Sequence, residues 1–311
     1  MNLWSGIWEI SQLVGQMFIL MGVGVVCGKY KWMDTIGAKQ MTNILLKVVT
    51  FCVIVKSFIV TDYSTEKAVH LLVGAASCAI CTAVGLLVVL PLFKKTSADQ
   101  KNVLRFGVLF SNCGFMSLPL VSAILGDDGV FVVSIFVALF QCLCWTLGVK
   151  IYDSFDPKKA VKQILFNPGV ISVIFGFPLF FVTIDFPSII MEPMVMLCDL
   201  NTPLAMIVTG YHLSKMALKI QKGDGNILFA SGLRLVVVPL ITFGILYLLG
   251  IRDLLLVACM VPVCAPCASN TSLFAVMFGG NEVYASRFVS ISTILSILTM
   301  PFIVALAQQV A

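Results

Sequence analysis

The chain has 311 residues, of which 59% are hydrophobic and only 11% charged, with a net charge of +5 and a mean hydropathy of +1.04. That balance excludes an ordinary soluble surface, which needs roughly a quarter to a third of its residues charged, and points to a polytopic membrane protein. The excess positive charge falls between apolar stretches, so it reflects loops at a membrane surface and implies no nucleic-acid partner.

Ten apolar runs can be counted, each of about the 20 residues a helix needs to cross a hydrocarbon layer about 30 Å thick. They cover residues 10–27, 41–60, 69–93, 103–125, 130–152, 168–186, 189–212, 227–250, 254–278 and 288–307. The predicted fold class is therefore an all-α polytopic membrane protein with ten transmembrane helices. No basic residue precedes Trp8 and no cleavage pattern follows, so the first span is expected to be retained rather than removed as a signal peptide. Trp4, Trp8, Tyr30, Trp32 and Tyr152 fall where aromatic belts form at membrane surfaces. The connections are short and leave no room for a soluble domain.

The fourth span is interrupted at residues 111–120, Ser-Asn-Cys-Gly-Phe-Met-Ser-Leu-Pro-Leu. Pro119 has no N–H to give and its ring crowds the carbonyl of Phe115, Gly114 weakens the helix, and Asn112 can satisfy freed backbone groups. A second interruption runs from Pro262 through Pro266 to Asn270 in the ninth span. Broken backbone at membrane depth must be buried in protein or line a wet cavity, and two interrupted spans in corresponding positions are a pointer to a transporter's binding site.

Lys and Arg set the expected orientation, because cytoplasmic loops are enriched in them. Alternate connections carry Lys29, Lys31, Lys39; Lys94, Lys95, Lys101, Arg105; Lys150, Lys158, Lys159, Lys162; Lys215, Lys219, Lys222; and Arg287, fifteen on one side. The other side has Lys67 and Arg252, with acids such as Asp62, Asp127, Asp128 and Asp185. With ten spans this places both termini outside a plasma (inner) membrane. Of the charges within spans, Lys56, Glu192 and Arg234 are each expected to reach an interface, and His70 and His212 to sit near span ends.

The eleven cysteines lie almost entirely within spans. Cys264-x-x-Cys267 has no histidine nearby, so these thiols read as small apolar residues, and no metal or cofactor is expected. An enzyme would need a nucleophile and base or a metal cluster at catalytic spacing, and no such pattern occurs.

Sliding the chain on itself by about 152 residues pairs Gly24 with Gly176 and Thr50-Phe51 with Thr202-Pro203. It also brings 126–131, Gly-Asp-Asp-Gly-Val-Phe, near 279–284, Gly-Gly-Asn-Glu-Val-Tyr, with a one-residue slip. These matches predict a duplicated five-span unit, residues 1–155 and 156–311. Because five is odd, the second copy must be inverted in the membrane, which makes the broken fourth and ninth spans symmetry mates. Each break exposes N–H groups with a positive dipole end on one half and carbonyls with a negative end on the other. The side chains supplied there are small and neutral: Ser111, Asn112 and Ser117, then Ser269, Asn270, Thr271 and Ser272.

These residues carry a resemblance to a known family. Asn112-Cys-Gly-Phe-Met-Ser-Leu-Pro119 resembles the Asn-to-Pro crossover signature of the auxin efflux carrier family, which spans bacterial organic-anion permeases and plant PIN-type carriers. The likeness continues in Asn167-Pro168-Gly169, in Asn201-Thr-Pro-Leu-Ala-Met-Ile-Val-Thr-Gly210, in Ala265-Pro-Cys-Ala-Ser-Asn270, and in Ser292-Thr293 with Pro301, and so covers essentially the whole chain. Phe51 departs from it, since relatives often have Pro there, and leaves the first-half helix straighter. The resemblance implies two inverted five-helix repeats and a substrate site beside crossing helices four and nine. It further implies a scaffold of helices one, two, six and seven, a transport domain of helices three to five and eight to ten, and often a homodimer. By the same analogy, Ser111, Asn112, Gly114, Pro119, Asn201, Pro203, Pro266, Ser269, Asn270 and Thr271 are the expected substrate-binding residues. The short loops resemble the bacterial branch, whose implied cargo is a small organic anion such as a carboxylate.

Lys47 and Asp199 stand the same 152 residues apart and place opposite charges at equivalent repeat positions. They are candidates for coupling to a proton or cation, against the simpler reading that Lys47 snorkels to the surface and Asp199 caps a helix. A membrane sensor that binds a small organic ligand without net transport is the alternative function, and saturable counterflow is what separates the two.

Overall fold

The computed structural model describes residues 3–152, 156–182, 184, 186–215 and 224–310. Asp185, Lys219 and Lys222, used above for orientation, lie outside the described residues. Among the described residues the only extended pairing is one isolated antiparallel bridge, and everything else of regular structure is helix.

Helices α1 (Leu3–Lys29), α2 (Thr35–Val60) and α3 (Thr65–Val89) are long and apolar. Their starts follow side-chain caps: Asp34 accepts from the Gly37 N–H at 2.7 Å, and Ser64 from the Lys67 N–H at 3.1 Å, each satisfying a donor with no partner inside the helix. Next come α4 (Ala98–Leu109) and α5 (Cys113–Ile151), then α6 (Pro157–Leu165) and α7 (Pro168–Leu179). Helices α8 (Ser188–Asp199) and α9 (Asn201–Lys215) form one rod, followed by α10 (Gly225–Leu248), α11 (Asp253–Cys264), α12 (Asn270–Phe278) and α13 (Glu282–Gln309).

Among the described residues, seven helices are long and apolar enough to cross a membrane, and an eighth span results if α6 and α7, bent by 57°, are counted as one. The difference from ten has local causes. Helices α4, α11 and α12 are pieces of 12, 12 and 9 residues, each too short to cross alone. Helix α5 is two helices joined across a kink at Gly126, where φ 60 and ψ −149 is a combination open essentially only to glycine. The sixth span, expected over 168–186, stops as helix at Leu179, one residue after Pro178, and is preceded by the separate helix α6.

Two prolines do less than expected. Pro119 lies inside α5, two residues beyond a π-helical stretch at Cys113–Ser117, and Pro262 lies inside α11. Pro239 likewise follows a π stretch at Leu233–Val237. A π turn shifts the acceptor from the fourth to the fifth preceding residue, as with Leu118 N–H to Cys113 O, and so loosens the turn just where the proline ring would crowd it. The chain parts from helix before Pro119, at residues 110–112.

Packing depends on close backbone approach. A Cβ on Gly24 would strike the Ile207 carbonyl, and one on Gly210 the Met21 carbonyl, so α1 and α9 touch backbone to backbone as small residues permit between membrane helices. Gly176, matched to Gly24 in the expected repeat, lets α7 settle against the side chain of Phe58 of α2. At the bend of α5, Asp127 pairs with Lys56 at 2.9 Å and Asp128 with Lys67, tying the turn to α2 and α3. Lys56 is thus held in an ion pair as well as lying near a helix end.

Candidate functional site

Two non-helical segments cross at the centre of the molecule. The first, residues 110–112, separates α4 from α5; the second, 265–269, separates α11 from α12. They run antiparallel: Asn112 N–H donates to Pro266 O at 2.7 Å, Ala268 N–H donates to Phe110 O at 3.0 Å, and Ser111 faces Cys267 between them. Cys267 N–H is turned aside to Ser292 Oγ on α13 at 3.2 Å.

Every such diversion strands a carbonyl on the preceding helix. Val108 would have received the Asn112 N–H and Val263 the Cys267 N–H, had the helices continued. Arg234 of α10, fully buried, recovers both: Nη1 donates to Val108 O at 3.3 Å, Nη2 to Val263 O, and Nε to Ala265 O at 3.1 Å. One guanidinium therefore covers the negative ends of α4 and α11 together, which its planar fork of donors allows. Sequence reasoning sent Arg234 to the surface. The structure overturns that, because three orphaned carbonyls in the interior offer it more than a snorkelling path does. No ion pair reaches Arg234 among the described residues.

On the other side, the N-terminal ends of α5 and α12 open on a cavity of about 170 Å3. Ser111, Asn112 and Gly114 line it from the first segment, Ser269 and Asn270 from the second. Gln141 and Trp145 of α5 and Asn167 ahead of α7 complete its polar and aromatic wall. The side-chain amides of Asn112 and Asn270 have no hydrogen-bond partner among the described residues, so their capacity is open to a guest. A wider cavity of about 460 Å3 shares Phe115, Ser269, Asn270 and Leu273 with the first and adds Lys39, His212, Thr42 and Thr209. No Asp or Glu lines either cavity.

Of the expected site residues, the structure brings together Ser111, Asn112, Gly114, Ser269 and Asn270, with Pro266 contributing its carbonyl to the crossing. Pro266 and four others do not line the cavities. Pro119 is buried in α5 beyond the π turn. Thr271 is fully buried, its hydroxyl 3.1 Å from Cys267 Sγ. Pro203 lies in the first turn of α9, where a missing N–H leaves nothing unpaired. Asn201 is buried at the head of the same helix, its amide nitrogen without a partner among the described residues. Lys47 and Asp199 are exposed, form no ion pair with each other and line neither cavity; Phe51 sits in α2 two residues beyond a π-helical stretch at Leu45–Val49. Gln141, Trp145 and Lys39 were missed because nothing local in an apolar or basic stretch marks a residue as facing a cavity.

A family model described as Membrane transport protein matches residues 9–163 and 157–304. An uncharacterized transporter of Methanothermobacter thermautotrophicus is 28% identical over 200 residues, 61% of this chain and 63% of that relative. The match therefore spans a little under two thirds of the relative's length.

Proposed function

Since the chain belongs to the membrane transport protein family, that of the auxin efflux carriers, we propose that it is a secondary carrier of a small organic anion, working by alternating access. The observation that carries this reading is the crossing of residues 110–112 with 265–269 beside a polar cavity. Two helix N-termini open there, and their unpaired N–H groups and positive dipole ends favour an anionic group. Acidic side chains are missing from the lining, and the opposite, negative helix ends are covered by Arg234. The amides of Asn112 and Asn270 orient a carboxylate without a fixed charge in direct contact, so release stays fast.

In this reading ten segments cross the bilayer, the fourth as α4 with the start of α5 and the ninth as α11 with α12. Residues 1–155 and 156–311 are inverted repeats, and helices one, two, six and seven form a scaffold, in a homodimer, against which the rest moves. The exchange-related contacts of α1 with α9 and of α2 with α7 support that division. The wider cavity, with Lys39 and His212, is the aqueous approach from the Lys-rich side, taken as the cytoplasm of a bacterial-type inner membrane.

Purified protein in liposomes preloaded with a small dicarboxylate tests this by counterflow of the labelled compound. Saturable exchange, reduced in Asn112→Ala and Asn270→Ala, is expected. Carboxylate binding with no exchange in any direction would replace the carrier reading with that of a sensor.

A further inference from the structure

Away from the crossing, a cavity of about 350 Å3 lies among the end of α3, the body of α4 and the end of α5. Lys101 and Arg105 of α4 and Lys150 of α5 line it, together with Asn102. No Asp or Glu does, and none of these three cations makes an ion pair among the described residues. Arg105 is fixed in place: its Nη2 donates to Leu90 O at 2.8 Å and Leu92 O at 3.3 Å, while Nε is buried without a partner. Asp99, in the first turn of α4, accepts from Asn281 at 3.4 Å and does not line the cavity.

The remaining wall is aliphatic, made of Leu86, Val89, Leu90, Leu147 and Ile151. Three converging cations ask for a multiply liganded anion, and a phosphate is the group that Lys and Arg at this spacing recognise. Aliphatic walls beside them ask for hydrocarbon attached to that phosphate. Position agrees, since the cavity lies where apolar helices give way to the connections bearing Lys94, Lys95, Lys158 and Lys159, the level at which head groups of the anionic leaflet lie. We propose that this cavity is a binding site for the phosphate head group of an anionic phospholipid, with its acyl chains along α3 and α5.

The test is a thermal-shift titration of the purified full chain in detergent with phosphatidylglycerol, phosphatidylcholine and inorganic phosphate. Phosphatidylglycerol is expected to raise the melting midpoint saturably and phosphatidylcholine not to. Arg105 is left in place because it caps α3. In the double variant Lys101→Gln, Lys150→Gln the midpoint without lipid stays as in the parent, and about thirtyfold more phosphatidylglycerol is needed for half the effect. If the double variant does not fold, Lys150→Gln alone, altered at an exposed helix end, is expected to need about fivefold more. The variant Lys158→Gln, Lys159→Gln, outside the cavity, responds as the parent. Equal gains from both lipids, or equal losses in the two double variants, would overturn the site. Inorganic phosphate matching the lipid's shift at similar concentration would overturn the lipid as its source and leave a soluble phosphate compound as the occupant.

Discussion

Arg234 is the largest fully buried side chain among the described residues, and its worth lies in what it leaves paired. Removing it strands the carbonyls of Val108, Val263 and Ala265, at about 1–3 kcal/mol for each buried acceptor left unmade. Arg234→Met is therefore expected to lower the detergent melting midpoint by several degrees, and Arg234→Lys, with one point charge for three acceptors, to fall between. A midpoint unchanged in Arg234→Met would remove the capping role. Asn112 and Asn270 predict the opposite pattern, because each presents an amide to a cavity and not to packed protein. Asn112→Ala or Asn270→Ala should keep the parent's midpoint, read by thermal denaturation, and lose about tenfold in carboxylate affinity, the scale of one hydrogen bond to a charged group, read by calorimetric titration.

At the scale of elements, the first break falls where backbone partners are exchanged, at residues 110–112 and not at Pro119, while the second includes Pro266. Flanking hydrogen bonds put Ser111 and Cys267 in a non-hydrogen-bonded antiparallel pair, whose Cα atoms lie about 4.5 Å apart in such geometry and so within disulfide reach. Ser111→Cys is expected to form a disulfide with Cys267 under mild oxidant, seen as the loss of two free thiols by mass spectrometry. Persistence of both thiols would mean the segments do not cross in solution. The bend of α5 rests on Gly126, and Gly126→Ala should cost about 1–3 kcal/mol because φ 60 with ψ −149 admits no β-carbon without strain. Gly210→Val should do worse, forcing α9 off the backbone of α1, and poor recovery of folded protein on size-exclusion chromatography is the expected readout.

The whole molecule raises the questions of sidedness and of ion coupling. Fifteen basic residues in alternate connections against two in the others predict that a phosphatase fused after Ala311 is active outside the cell and that a fluorescent protein fused there is dark. The reverse pair of results would invert the molecule in the membrane. Asp199 is exposed and lines neither cavity, so Asp199→Asn should leave the pH profile of transport unchanged. A shifted profile would return it to the coupling path.

Much was legible in the residues themselves. Apolar runs of membrane length and the polar interruptions at Asn112 and Asn270 are local signals, set by the cost of unpaired backbone in lipid. What only the tertiary structure decided is which distant groups meet. That Asn112 gives its N–H to Pro266, that Arg234 then collects the carbonyls so released, and that Thr271, Asn201, Lys47 and Asp199 fall outside the cavity all depend on a chain folded back across itself. A buried arginine reads in sequence like any charge near a helix end, because the carbonyls that hold it are freed by segments as far as 126 residues away.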